Sequence, residues 1–100
     1  MIKPIPCRKF KNASTLAWIE KLAEEISEVV NEAAGLSCSR CEKLGEVKAR
    51  KRLAEEITDV ITVCVSWLDA LGYGEAARGR LQRSVNEKNK ARGYHDEADS

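Results

Sequence analysis

An all-α fold, a helical bundle completed by homo-oligomerisation, is what this chain predicts, on three observations. Apolar residues recur at threes and fours along three successive stretches, and no stretch alternates with the period of two that marks a strand. Glycines stand where each helical pattern stops. The third observation is a repeat: Leu-Ala-Glu-Glu-Ile-Ser-Glu-Val-Val at 22–30 returns as Leu-Ala-Glu-Glu-Ile-Thr-Asp-Val-Ile at 53–61. With 100 residues the chain is one domain with a modest core, so burial against a copy of itself is expected.

Residues 1–13 form an N-terminal arm, because Pro4 and Pro6 disfavour helix there. The helical domain spans 14–93. Asn12 or Ser14 can cap helix one, whose stripe Ile19, Leu22, Ile26, Val29 and Ala33 ends at Gly35. The segment 36–45, with Cys38 and Cys41, reads as a connection. Helix two, from about Glu46 to Leu71, carries the stripe Leu53, Ile57, Val60, Cys64, Leu68 and Leu71, and Gly72 closes it. Helix three, from about Glu75 to Arg92, is thinly apolar, so tertiary packing must hold it. Residues 94–100 are a polar tail, expected to be flexible.

Formal charge is nearly balanced at +1, which implies no general attraction to nucleic acid or to an anionic membrane. No apolar run approaches the ~20 residues of a membrane span, and the N-terminus lacks the apolar core of a signal peptide. A cytoplasmic protein with reduced thiols is expected. Cys38-x-x-Cys41 lacks two further zinc ligands at sensible spacing, Cys64 falls on a core stripe, and His95 lies alone in the tail, so structural zinc is not expected. No Gly-rich loop precedes a lysine, and no Glu-x-x-His supports a di-iron bundle.

The chemistry lies in the repeat. Residues three apart share one side of a helix, so Glu25 with Glu28, and Glu56 with Asp59, each form an acidic pair bordering the apolar stripe. One such pair alone is ordinarily a solvated face. Two pairs on helices packed together converge four carboxylates, which repel unless a cation lies between them, and an all-oxygen acidic site suits Mg²⁺ or Mn²⁺. Glu24 and Glu55 point away as surface charges. On helix three the apolar stripe of Leu81 and Val85 continues as Lys88 and Arg92, cations aimed inward where a polyphosphate needs them. Trp18 and Trp67 fall at one end of the pair if helices one and two are antiparallel, roughly 10 to 16 Å from the metal, about where a base would lie. Their plain alternative is core or interface packing.

Glu25-x-x-Glu28 and Glu56-x-x-Asp59 on successive helices, followed by Asn86-Glu87-Lys88-Asn89-x-x-Arg92, resemble the MazG-like all-α nucleoside triphosphate pyrophosphohydrolases over residues 14 to 93. The resemblance implies Mg²⁺-dependent hydrolysis of a nucleoside triphosphate to the monophosphate, ribo or deoxy, and pyrophosphate, as nucleotide-pool housekeeping in a homo-oligomer, a dimer or tetramer. Glu25, Glu28, Glu56 and Asp59 would hold the metal, Glu25 or Glu56 would activate water, Lys88 and Arg92 would bind phosphate, and Trp18 and Trp67 the base. One rival is a non-catalytic helical interaction module with solubilising acidic faces. Another is a nucleic-acid binder using Arg78, Arg80, Arg83, Lys88 and Lys90, which the neighbouring acidic helices disfavour.

Overall fold

A computed structural model describes residues 3–37 and 45–97. Among these it has three α-helices and no strand: α1 over Thr15–Leu36, α2 over Glu46–Ala70 and α3 over Glu75–Ala91. The N-terminal arm carries a 3-10 turn over Arg8–Phe10.

Local chemistry explains where the helices start and stop. Ser14 caps α1, its hydroxyl accepting from the Ala17 N–H at 3.1 Å. Gly35 does not terminate α1 as expected; it is a buried helical residue, and the helix ends on Ser37, whose N–H donates to the Ala34 carbonyl at 3.2 Å. Closing α2, Gly72 takes φ +97°, its N–H reaching the Asp69 carbonyl and that of Tyr73 the Leu68 carbonyl, both at 3.0 Å. That paired closure needs a left-handed residue, which glycine adopts without strain. Gly93 closes α3 the same way at φ +75°, with Tyr94 N–H on the Asn89 carbonyl at 2.9 Å. The turn extends into the segment expected to be a tail, where His95 Nε2 lies 3.2 Å from the Asn86 carbonyl.

Helices α1 and α2 pack along each other, and the 3-10 turn packs on α2. Trp18 meets Trp67 while Glu25 and Glu28 meet Glu56 and Asp59, so residue numbers rise on one helix as they fall on the other and the pair is antiparallel. Helix α3 has no extended packing on either and buries none of its residues. Trp18 and Ala49 are the buried apolar residues among those described.

The apolar stripes are correspondingly only half used. Ile26 of α1 and Ile57 of α2, both expected in the core, are 46% and 44% exposed, and Ile19, Cys64 and Leu71 are exposed too. One neighbouring helix covers only part of a stripe of this width, and α3 does not cover the rest. Leu81 and Val85 of α3 are exposed for the same reason. The radius of gyration, 16.6 Å, exceeds the roughly 13 Å of a compact domain of this length. No helix among the described residues is long and apolar enough to cross a membrane.

Candidate metal centre

All four carboxylates of the repeat come together where α1 and α2 face one another. Glu25, Glu28, Glu56 and Asp59 each offer an oxygen within 4.8 Å of the others. Two ligands on opposite sides of one Mg²⁺ stand about 4.2 Å apart, so oxygens this close are within the span that one such ion would need. Glu25 and Glu56 are half-buried between the helices and Glu28 and Asp59 are exposed at the rim. The duplicated register produces this: like positions of the two copies meet across an antiparallel contact.

Electrostatically the centre is uncompensated. Oε2 of Glu25 and Oε2 of Glu56 are both occluded from solvent and without a hydrogen-bond partner. No lysine or arginine among the described residues forms an ion pair with any of the four. Burial, then the charges of Glu28 and Asp59, raise the Glu25 pKa above the ordinary carboxylate value. Glu56 is raised first by a hydrogen bond shared with the Glu28 carboxyl, which requires a proton, then by burial. Orphaned buried oxygens and carboxylates driven towards protonation are what a hard cation relieves, so the donor set fits Mg²⁺ or Mn²⁺.

The other residues singled out in the sequence are distributed unevenly. Trp18 is 3% exposed and stacks on Trp67 at 6.2 Å between centroids with the planes 5° apart. The rings are parallel and offset, and they part company beyond that contact. Trp18 borders a cavity of about 210 Å³ that also touches Glu25, whereas Trp67 borders a separate apolar one with Leu22 and Cys64. Lys88 and Arg92 are exposed and make no ion pair with the four carboxylates. They do not turn inward within the chain, because α3 does not lie against the pair. Glu24 and Glu55 are exposed, as expected, Glu55 lying 4.0 Å from Lys51. Cys38 and Cys41 fall outside the described residues.

Several residues beside the centre escaped the sequence reading. Lys51 shares a groove with Glu56 and Asp59, and Lys21 shares the Trp18 cavity with Glu25, so a cation flanks the cluster on each side. Phe10, Thr62 and Ser66 line that same cavity. Lys51 and Lys21 precede Glu55 and Glu25 by one helical turn, a signal present in the sequence; the arrival of Phe10 from the arm left none. No family model, no curated protein and no solved structure matches this chain.

Proposed function

We propose that this protein is a Mg²⁺-dependent nucleoside triphosphate pyrophosphohydrolase of the MazG-like kind, cleaving between the α and β phosphates. The observation that carries the reading is the pair of buried, partnerless carboxylate oxygens, Glu25 Oε2 and Glu56 Oε2, inside a four-carboxylate cluster with which no lysine or arginine among the described residues forms an ion pair. Glu25, Glu28, Glu56 and Asp59 would hold the metal, Mn²⁺ serving in place of Mg²⁺. When bound, the ion supplies charge neutralisation on phosphoryl oxygens and acidifies a water. Glu25 or Glu56 takes the proton from the attacking water, since each keeps an oxygen free of other hydrogen bonds. Lys51 stands beside the cluster to meet phosphate oxygens of the substrate.

The active species in this reading is a homo-oligomer. Helix α1 carries five glutamates against one lysine, while α3 carries five basic residues against two glutamates. The exposed apolar residues Ile26 and Ile57 on the pair, and Leu81 and Val85 on α3, await cover. A second copy laying α3 across the pair satisfies both the apolar faces and the charges. It also brings Lys88 and Arg92 towards the acidic cluster of its neighbour, where they would neutralise the leaving pyrophosphate.

The same exposed faces favour one other reading, a non-catalytic helical interaction module. A panel of ribo- and deoxyribonucleoside triphosphates with Mg²⁺, separating pyrophosphate from orthophosphate release, distinguishes the two. Metal-dependent pyrophosphate release is the expected result. Absence of turnover across the panel, with no effect of Mg²⁺ on thermal stability, would leave the interaction module.

A further inference from the structure

The N-terminal arm, which the chemistry above does not use, is clasped over the helix pair beside the acidic cluster. Cys7 N–H donates to Ser66 Oγ at 2.9 Å, and Arg8 Nε donates to Asp69 Oδ2 at 3.2 Å. Lys3 Nζ pairs with Glu75 at 2.6 Å. These contacts hold residues 3–8 against the C-terminal half of α2 and the start of α3, and they carry Phe10 to the wall of the cavity that Trp18 and Glu25 share. The Lys21 ammonium lies 3.6 Å from the centroid of the Phe10 ring, a cation–π contact that fixes arm to α1.

The cavity has the construction of a site for a flat, partly polar ring attached to a phosphate chain. One end is aromatic, with Trp18 and Phe10 in its wall, and the other reaches the Glu25 carboxylate that belongs to the proposed metal centre. Trp18 precedes Glu25 by two helical turns, about 10 Å, the span of a sugar and its α phosphate. The polar wall on α2 is already satisfied: Ser66 Oγ donates to the Thr62 carbonyl at 2.7 Å, and Thr62 Oγ1 to the Thr58 carbonyl at 3.1 Å. Lys21 and Glu24 remain as donor and acceptor for the edge of a ring. A closed cavity of roughly 150 Å³ accommodates benzene, so this one, of about 210 Å³ and half open to solvent, seats a single ring with its exocyclic groups between its walls and would leave part of a fused bicycle outside them.

Resting on the pyrophosphohydrolase reading, we infer that the arm forms the base subsite and sets its specificity. Phe10 and Lys21 close the cavity around a pyrimidine, so the substrates are pyrimidine nucleoside triphosphates in preference to purine ones. Trp67 lies outside the subsite and supports Trp18 from behind. Phe10 and Lys21 act on which nucleotide binds, not on the bond that breaks.

Binding of α,β-methylene analogues, whose scissile bridge cannot hydrolyse, tests this without reference to turnover. Uridine, cytidine, adenosine and guanosine analogues and inorganic tripolyphosphate are titrated in Mg²⁺ against tryptophan fluorescence. The pyrimidine analogues are expected to bind about tenfold tighter than the purine ones, and Phe10→Ala to remove about that factor while leaving tripolyphosphate binding unchanged. Lys21→Met, which keeps the stem, is expected to act in the same direction by a smaller factor, and circular dichroism reports whether helicity is retained. Because Phe10 is 40% exposed on the arm, its truncation leaves the helix pair intact. Tripolyphosphate binding accompanied by base-independent affinity, or an indifferent Phe10→Ala, would overturn the subsite and leave the pyrophosphohydrolase reading standing. Loss of tripolyphosphate binding and of turnover, with a free pyrimidine nucleoside still quenching fluorescence, would do the reverse. If no probe binds, both fall.

Discussion

Helix α2 carries two carboxylate centres that the fold treats in opposite ways. Near its C-terminus Asp69 is fully partnered: Arg8 from the arm and Arg78 from α3 each reach it at 3.2 Å. The Arg8 hydrogen bond, followed by the charges of both arginines, holds its carboxyl below the usual value, opposed by partial burial. About 15 to 20 Å back along the same helix, Glu56 and Asp59 face Glu25 and Glu28 with no ion-paired cation among the described residues, and Glu25 and Glu56 are pushed up. The chain therefore supplies arginines where a carboxylate is structural, tying the arm, α2 and α3 at one point. The four acids of the cluster have no such partner among the described residues, and their mutual repulsion disfavours the charged pair of helices unless a cation or a proton relieves it, which supports the proposed metal site.

The sharpest way to break this contrast is to neutralise one acid of each kind. Glu25→Gln or Glu56→Gln is expected to lower kcat about a hundredfold or more with helicity unchanged. In metal-free buffer at neutral pH the same changes should raise Tm, because they remove a like-charge contact. Asp69→Asn should do the opposite, lowering Tm while leaving the chemical step in place. If the cluster variants melt earlier, as Asp69→Asn does, the cluster is a structural ion network.

A second experiment asks whether α3 serves its own chain or a neighbour. Glu56→Gln and the double variant Lys88→Ala, Arg92→Ala are each expected to be inactive. Mixed and allowed to exchange subunits, they should recover about a quarter of wild-type activity, the statistical share of intact sites in a two-fold dimer. No recovery, with exchange demonstrated by mass, would place the cations and the carboxylates in one chain.

The two centres also respond to pH with opposite sign. Glu25 and Glu56 have raised pKa values in the folded state, so their contribution to stability is most favourable below the ordinary carboxylate range and declines as pH rises through the folded values. Asp69 and Glu75, lowered by Arg8 and Lys3 respectively, contribute above that range and lose their contribution as pH falls through the folded values. Mg²⁺ should accordingly raise Tm at pH 7, by about 4–8 °C for each kcal/mol of linked binding, and have little effect near pH 4. A Tm that ignores Mg²⁺ at both pH values would remove the metal from the centre.

The smallest effect is expected from the cysteines. Changing Cys38 and Cys41 together to serine should leave metal content and turnover as they are. Stoichiometric zinc in the purified protein, lost from the double variant, would show a second metal site.

Much of the local structure was legible in the chain. The starts of α2 and α3 fall at Glu46 and Glu75 as the patterns indicate, and Ser14 caps α1. The meeting of Glu25, Glu28, Glu56 and Asp59 was legible as well, because a duplicated register placed on two antiparallel helices leaves few other outcomes. The inward turn of Lys88 and Arg92 was read from the periodicity of α3, and within the chain it does not occur. Periodicity marks which face of a helix is apolar and is silent on which molecule covers it.

By itself, then, the sequence determined what depends on neighbours along the chain: helix spans, caps, glycine closures and the acidic pairs three apart. These follow from backbone hydrogen bonding and side-chain spacing over one or two turns. Tertiary structure alone decided what depends on residues far apart in number. It joined Cys7 to Ser66 and Arg8 to Asp69, stacked Trp18 on Trp67, and stood Phe10 beside a cavity that ends at Glu25. It also left α3 off the pair. The physical reason is that packing is a competition for apolar surface, and an arm of a few residues and a thinly apolar helix have no periodic signal strong enough to announce where they settle.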